Sequence, residues 1–436
     1  MYWNPDIETM PRERLHDLQL MRLQTVVGHV GLASPFYRQV FRETGFDPTD
    51  LRSLDDLARL PFTTKSDLRD GYPFGMLAVP KKDVVRVHAS SGTTGKPTVL
   101  AYSRHDMVVW AEVMARAMTA VGVTADDVLH NAAGYGLFTG GLGIGLGAET
   151  VGATTIPASS GFTRRQLMLM EDLGATVLCC MPSYALVLAE TAAEEQIDLR
   201  ARMKLRVGIF GAEPWTEAMR REIQTRLGVE AFDVYGLSEV IGPGVSAECH
   251  AHDGLHVFED HFLPEIIDPD TGDVLPIGAE GELVLTTLTK QAMPMIRYRT
   301  RDRARLVAGP CACGRTLVRM SRVHGRTDDM LIVRGVNVFP SQIEAALFQV
   351  AGLAPQYLIL VDRGKDGLVE RLEVWIEPLE ESRRAGAAAN DLEARALESL
   401  RDALGINVHV RMVEPRQIER SQGKAIRVVE RLPEPE

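Results

Sequence analysis

Cysteine is scarce in this chain, with five residues in 436. So low a count excludes a disulfide-built scaffold and implies a reduced, cytoplasmic setting. Positive charge is also in deficit: 48 Lys and Arg stand against 59 Asp and Glu, a formal net charge of −11. A nucleic-acid or anionic-membrane partner needs a basic field, so both are excluded as expectations. Any anionic ligand must instead meet positive charge that is concentrated locally. The opening "MYWNPDIETMPRERL" has acidic residues and two prolines, and lacks a basic-then-apolar leader pattern. One uncharged run, 131–148, has the length of a membrane span, but seven of its eighteen residues are glycine and Glu149 closes it. It is not read as a span. There is no internal repeat.

What is present is alternation. Residues 1–85 read as mostly helical, with "HDLQLMRLQTVVGHV" running into a turn-like "ASPFYR". From about 86 to 325, short apolar runs alternate with amphipathic helices. In "SRHDMVVWAEVMARAMTAVG" the residues Met107, Trp110, Met114, Met118 and Val121 recur at three- and four-residue steps before Gly122. "WTEAMRREIQTRLG" repeats the design: Thr216 is the expected N-cap, Met219, Ile223 and Leu227 form the stripe, and Gly228 ends it. Buried strands are expected at "ATVLCCM", "LRVGIFG" and "AFDVYG". Strand–helix alternation of this kind implies an α/β fold, a parallel sheet covered by helices. Beyond about 326 the texture becomes α+β. A strand, a Gly-Val-Asn turn and a Ser341-to-Glu344 capping box open a helix there, followed by strands at "PQYLILVD" and "LEVWIE", a helix, and a final strand at "NVHVRMVEP".

The stretch "HASSGTTGKPT" carries two glycines, four hydroxyl side chains and a lysine between Ser90 and Lys96. Its spacing is not that of a P-loop: Thr93 and Thr94 alone separate Gly92 from Gly95, and Pro97 follows Lys96. Its physics still suits phosphate, since glycines let backbone N–H groups converge, hydroxyls add donors without bulk, and the lysine brings a mobile charge. The string resembles the signature loop of the adenylate-forming superfamily, which includes the acyl-CoA synthetases. The resemblance implies that Ser90, Ser91, Gly92, Thr93, Thr94, Gly95 and Lys96 hold the β- and γ-phosphates of ATP.

The rest of the chain resembles that superfamily in order. "FGAEPW" is similar to the adenine-binding turn, placing Gly211, Ala212, Glu213 and Pro214 around the base. "DVYGLSE" is similar to the next motif, covering Asp233, Tyr235 and Gly236. By resemblance Tyr235 stacks on adenine, Ser238 contacts the α-phosphate or substrate carboxylate, and Glu239 holds Mg²⁺, a hard cation suited to a carboxylate plus phosphates. In "RYRTRDRAR" every odd position from Arg297 to Arg305 is arginine. As a strand this separates the arginines, read as a solvated basic face, from Tyr298, Thr300 and Asp302. Asp302 matches the aspartate that accepts from both ribose hydroxyls, and Arg326 matches the arginine on ribose or phosphate. Asp328 matches the hinge of a small mobile C-terminal domain, which gives units of 1–327 and 328–436. Lys424, in "SQGKAIRV", matches the catalytic lysine.

Within the superfamily, "GYGLFTGGLG", "GIFGAEPWTEAMRRE", "DVYGLSEVIGPGV", "DGLHVFEDHF" and "RGVNVFPSQIE" resemble the phenylacetate–CoA ligase family. That implies an acid–thiol ligase forming an acyl-CoA from ATP, an aryl acid and CoA through an acyl-adenylate. The alternatives are a ligase for hydroxyphenylacetate, benzoate or indole-acetate, or an adenylation enzyme loading a carrier protein. An aryl pocket is expected from Tyr135, Phe138, Gly141, Ala212, Ile241 and Pro243, and a CoA contact from Arg334 and Gly335. The resemblance also implies a homodimer. Cys249, Cys311 and Cys313 with a histidine (His250, His252 or His256, of which His256 is preferred) make a reasonable structural zinc set.

Overall fold

A computed structural model of the chain describes residues 1–90, 97–333, 336–363, 369–384 and 389–431, apart from the side chains of Glu370, Glu381 and Arg384. The larger of its main sheets has eleven strands among the described residues. The strands Val207–Gly211, Val177–Cys180, Val128–Asn131 and Thr154–Ile156 are joined in parallel, and Glu230–Leu237 is parallel to Val207–Gly211. On its other side Glu230–Leu237 pairs antiparallel with Gly242–Ala247. From there the sheet continues antiparallel through Leu255–Val257, Arg319–Met320, Tyr298–Val307, Glu280–Thr287 and Phe262–Ile267. The alternation rule therefore holds for the parallel half, while the antiparallel half is built from strands joined by loops. Glu230–Leu237 sits at the change of direction, where an open α/β sheet leaves a crevice at its strand ends.

Local signals explain the helices. Ser103 accepts from the Asp106 N–H and Asp106 returns a bond to the Ser103 N–H, which opens the helix Arg104–Ala120. Trp110, Met114 and Met118 on that helix are fully buried. Thr216 caps Glu217–Leu227, and Gly228 ends it with φ +70°. The glycine-rich run becomes the helix Gly140–Val151, and its lack of side chains is used. A Cβ on Gly143 would lie 2.4 Å from the Trp110 ring, and one on Gly147 would lie 2.5 Å from Met114 Cβ. No helix among the described residues is long and apolar enough to cross a membrane.

The C-terminal portion forms a second sheet. Val336–Val338, Leu331–Val333, Val369–Pro378, Leu353–Arg363 and Val428–Arg431 follow one another, and His409–Met412 pairs with Val369–Pro378. Its own core includes Val338, Ile343, Ile359, Val374 and Leu400. "NVHVRMVEP" does not supply the last strand, because Val428–Arg431 adds another beside Leu353–Arg363. Val336 and Asn337 are paired in a strand rather than lying in a turn. The helix Pro340–Leu347 is capped by Phe339, whose N–H donates to Gln342, since Pro340 fixes the first helical residue one position before Ser341. "ASPFYR" is a helix start: Ser34 interrupts for one residue before Pro35–Thr44. The arginines of 297–305 are not a freely solvated face. Arg297 is buried against Glu265, Arg299 and Arg301 pair with Glu282, and Arg303 pairs with Glu280.

Candidate active site

A cavity of about 140 Å³ opens where the parallel strands end and the small sheet approaches. Val207–Gly211 delivers the residues that form one wall. Gly211 is obligatory there, because a Cβ would sit 2.2 Å from the Val234 carbonyl oxygen of the neighbouring strand. Ala212 then turns the chain with φ +71°, and Glu213, Pro214 and Trp215 line the opening. Asp233, Tyr235 and Gly236 form the adjoining wall. The Asp233 carboxyl is pushed up by burial and by the nearby Glu248.

Tyr235, Asp302 and Arg326 form one hydrogen-bonded group at the cavity. The Tyr235 hydroxyl donates to Asp302 Oδ2 at 2.6 Å, and Arg326 Nη1 donates to Oδ1 at 3.2 Å. The period-two pattern of Tyr298–Val307 puts Asp302 on the buried face. Burial raises its carboxyl to about 6, against the opposing pull of Arg326, the Tyr235 hydrogen bond and the charge of Lys424. Arg326 is held in turn by Asp328, which accepts two bonds at 2.8 and 2.9 Å. Lys424 arrives from the small sheet's side and borders the same cavity. The pocket thus gathers residues that lie as much as 212 positions apart, since the Ala425 N–H donates to Glu213. Glu213 carries a role its motif did not announce: one carboxylate oxygen accepts from Ser183 N at 2.7 Å and the other from Ala425 N at 3.2 Å.

Ser238 and Glu239 follow on the turn after Glu230–Leu237. Ser238 Oγ lies 2.9 Å from Thr139 Oγ1. Two buried groups shape this turn. Tyr102 donates to the Ser238 and Ile241 carbonyls, and Lys290 donates to the Glu239 carbonyl at 3.1 Å. Lys290 is buried over the Tyr102 ring, and burial lowers its ammonium to about 8 despite Asp106 and Glu239. The Glu239 carboxylate keeps a looser partner, Lys65 Nζ at 3.6 Å. Lys65 and Lys290 were not singled out from sequence. Lys65 reaches Glu239, and Lys290 reaches Tyr102, from more than a hundred positions away, and neither has a local pattern.

Of the residues expected to line an aryl pocket, Tyr135 accepts from Asn131 Nδ2 at 2.9 Å, and a Cβ on Gly141 would meet the Tyr135 ring at 2.8 Å. The Pro243 carbonyl accepts from Trp110 Nε1. Phe138 is half exposed, whereas Ile241 is wholly buried in the main core. Ser90 ends the strand Val84–Ser90, while 91–96 of the glycine loop and Arg334 and Gly335 lie outside the described residues.

Away from this cavity, Cys249, His256, Cys311 and Cys313 converge, with their ligand atoms all within 4.8 Å of one another. Cys249 Sγ lies 3.7 Å from Cys311 Sγ, and Cys313 Sγ lies 3.4 Å from His256 Nε2. A tetrahedral centre with metal–sulfur bonds of about 2.3 Å has sulfur–sulfur edges of about 3.8 Å, so the donor set fits zinc. Burial acts upward on the Cys313 thiol, but hydrogen bonds from His256 and Arg315 outweigh it and bring the thiol well down. His252 is elsewhere, stacked on Phe232 and paired with Glu230. All five cysteines are free.

Residues 48–292 match the model of the AMP-binding enzyme family, and 335–431 match that of the AMP-binding enzyme C-terminal domain. The phenylacetate-coenzyme A ligase of Thermus thermophilus is 48% identical, covering 98% of this chain and 99% of its own. That of Aromatoleum evansii is 51% identical, with 98% and 97% covered. Among solved structures, 2-hydroxyisobutyryl-CoA ligase in its postadenylation state with 2-HIB-AMP superposes with a TM-score of 0.94 at 32% identity, covering 99% of this chain and 92% of that one. The same ligase with 2-HIB-AMP and CoA in the thioesterification state, at the same identity and coverage, gives 0.74.

Proposed function

Because the chain belongs to the AMP-binding enzyme family, in its phenylacetate–CoA ligase branch, we propose that it joins phenylacetate to CoA at the expense of ATP. The products are phenylacetyl-CoA, AMP and diphosphate, and the reaction passes through an acyl-adenylate. The observation that carries this reading is the Tyr235–Asp302–Arg326 group facing the Lys424 loop across one cavity. Asp302 offers carboxylate oxygens to ribose hydroxyls, and Tyr235, which lines the same cavity as the Ala212–Pro214 turn, offers its ring to adenine. The loop 90–96 grips the β- and γ-phosphates. Two anions must meet, so Lys424 neutralises carboxylate and α-phosphate oxygens as they approach, a contact of a kind worth roughly 10²–10³ in rate. Glu239, fixed by Lys290 and Tyr102 through the backbone of its turn, offers the single carboxylate that Mg²⁺ takes beside substrate phosphates. The bound ion supplies positive charge to the departing diphosphate.

Residues 1–327 and 328–436 act as two domains with Asp328 as pivot, and the small domain stands in the orientation of the first half-reaction. The likeness to the postadenylation arrangement supports this orientation. Turning about Asp328 withdraws Lys424 and brings Arg334 and Gly335 to the CoA arm for attack of the thiol on the adenylate. The aryl group lies against Tyr135, Phe138, Gly141, Ala212, Ile241 and Pro243. Cys249, His256, Cys311 and Cys313 hold a structural Zn²⁺, which cross-links the loops at 249 and 311–313. A homodimer and a reducing, cytoplasmic setting complete the reading. Diphosphate release over a panel of aryl acids, with and without CoA and with no carrier protein present, tests it. Phenylacetate should give the highest kcat/KM and CoA-dependent AMP release; diphosphate release with no acyl-CoA formed refutes the CoA assignment.

A further inference from the structure

The helix Pro182–Glu194 faces the small sheet's C-terminal loop with two carboxylates one turn apart, Glu190 and Glu194. Opposite them stand two arginines with the same separation, Arg420 and Arg416, and each pairs across the gap. Arg420 is the closer fit. Its Nε donates to Glu190 Oε2 at 2.8 Å and its Nη2 donates to Oε1 at 2.7 Å, a two-pronged contact. The same guanidinium reaches back to Glu377, with Nη1 at 3.0 Å and Nη2 at 2.7 Å. Glu377 is fully buried and also accepts from the Arg416 and Ile418 N–H groups, so it shapes the loop that leads to Lys424.

These two carboxylates behave differently when the domains turn. Glu377 and Arg420 lie on the same unit and travel together, whereas Glu190 stays behind. Separation therefore leaves no bare guanidinium, and the freed Glu190 carboxylate, already 22% exposed, meets water. A contact that is strong when closed and costs little when opened is suited to a repeating swing. It acts four residues before Lys424. One residue after Lys424, the Ala425 N–H is fixed to Glu213, so the catalytic loop is held on both sides.

Resting on the function proposed above, we propose that Arg420 is a positioning residue for adenylation, closing on Glu190 to hold Lys424 at the cavity. Glu190→Gln in the full-length chain removes the cross-domain charge and leaves Glu377 paired. Diphosphate release in a single turnover should fall about 3- to 20-fold, the range of a partly exposed two-pronged ion pair. Conversion of supplied acyl-adenylate and CoA to acyl-CoA should be unchanged or faster. Arg420→Lys, which keeps the charge but loses the fork, should fall between Glu190→Gln and the parent chain in adenylation. Hydrogen exchange at the Ala425 amide reads the docking without turnover and should speed up in Glu190→Gln. Adenylation at the parent rate, an equal fall in both half-reactions, or unchanged exchange at Ala425 overturns the proposal. The exchange result stands even if the parent chain activates no aryl acid, an outcome that counts against the ligase reading alone.

Discussion

Asp302→Asn separates two properties that the wild-type carboxylate holds in opposition. Burial raises the Asp302 carboxyl from its ordinary 3.8 to about 6 in the folded chain. Between those values the folded state binds the proton more readily than the unfolded state, so stability declines as pH rises through the window. Above it the cost is complete: about two pKa units at 1.36 kcal/mol each give roughly 3 kcal/mol at pH 8 and about half that at pH 5. Asparagine removes this cost and can still accept from the Tyr235 hydroxyl. Arg326 is not stranded by the change, because Asp328 already takes two of its N–H groups. The variant should therefore gain stability over the wild type, with the gain larger at pH 8 than at pH 5 by about 1–1.5 kcal/mol. Urea unfolding of both proteins at the two pH values measures it. The same variant should bind ATP about 10- to 100-fold more weakly in calorimetry, through loss of a charged acceptor for the ribose. A stability difference that is flat or shrinks from pH 5 to pH 8 refutes the argument that burial sets the Asp302 carboxyl.

Lys424→Ala should lose acyl-adenylate formation by roughly 10²–10³ in rate while still converting supplied adenylate with CoA to the thioester. Equal losses in both steps defeat the idea that the two faces of the small domain divide the chemistry. Metal analysis of chelator-washed protein should find about one zinc per chain, held by the four-residue Cys/His set. Cys311→Ser should release the metal and lower the melting temperature; an absence of zinc, with no change in stability, ends that assignment.

The local structure was legible wherever one short segment contains its own instruction. Thr216 and Gly228 mark the ends of a helix because capping and left-handed termination need a particular residue at one position. Residues 298–306 announce a half-buried strand because alternation is a property of the strand alone. What a short segment does not disclose depends on partners far along the chain. Arginines at odd positions look solvated until Glu265, Glu280 and Glu282 are seen on neighbouring strands. Val428–Arg431 is half exposed and polar at its end, and it becomes a strand through pairing with 359–362. The Cys/His cluster shows the same division of information. Each half carries atypical spacing, and the sheet brings them together by pairing Leu255–Val257 with Arg319–Met320, which puts His256 opposite Arg319 and draws 311–313 toward Cys249. Arg416 and Arg420 are the extreme case. Their four-residue step is unremarked in a loop, and it acquires a meaning once a helix offers Glu190 and Glu194 at one turn's separation. Such a match can exist in one arrangement of the two domains and be absent in another, so no amount of local pattern in either segment encodes it.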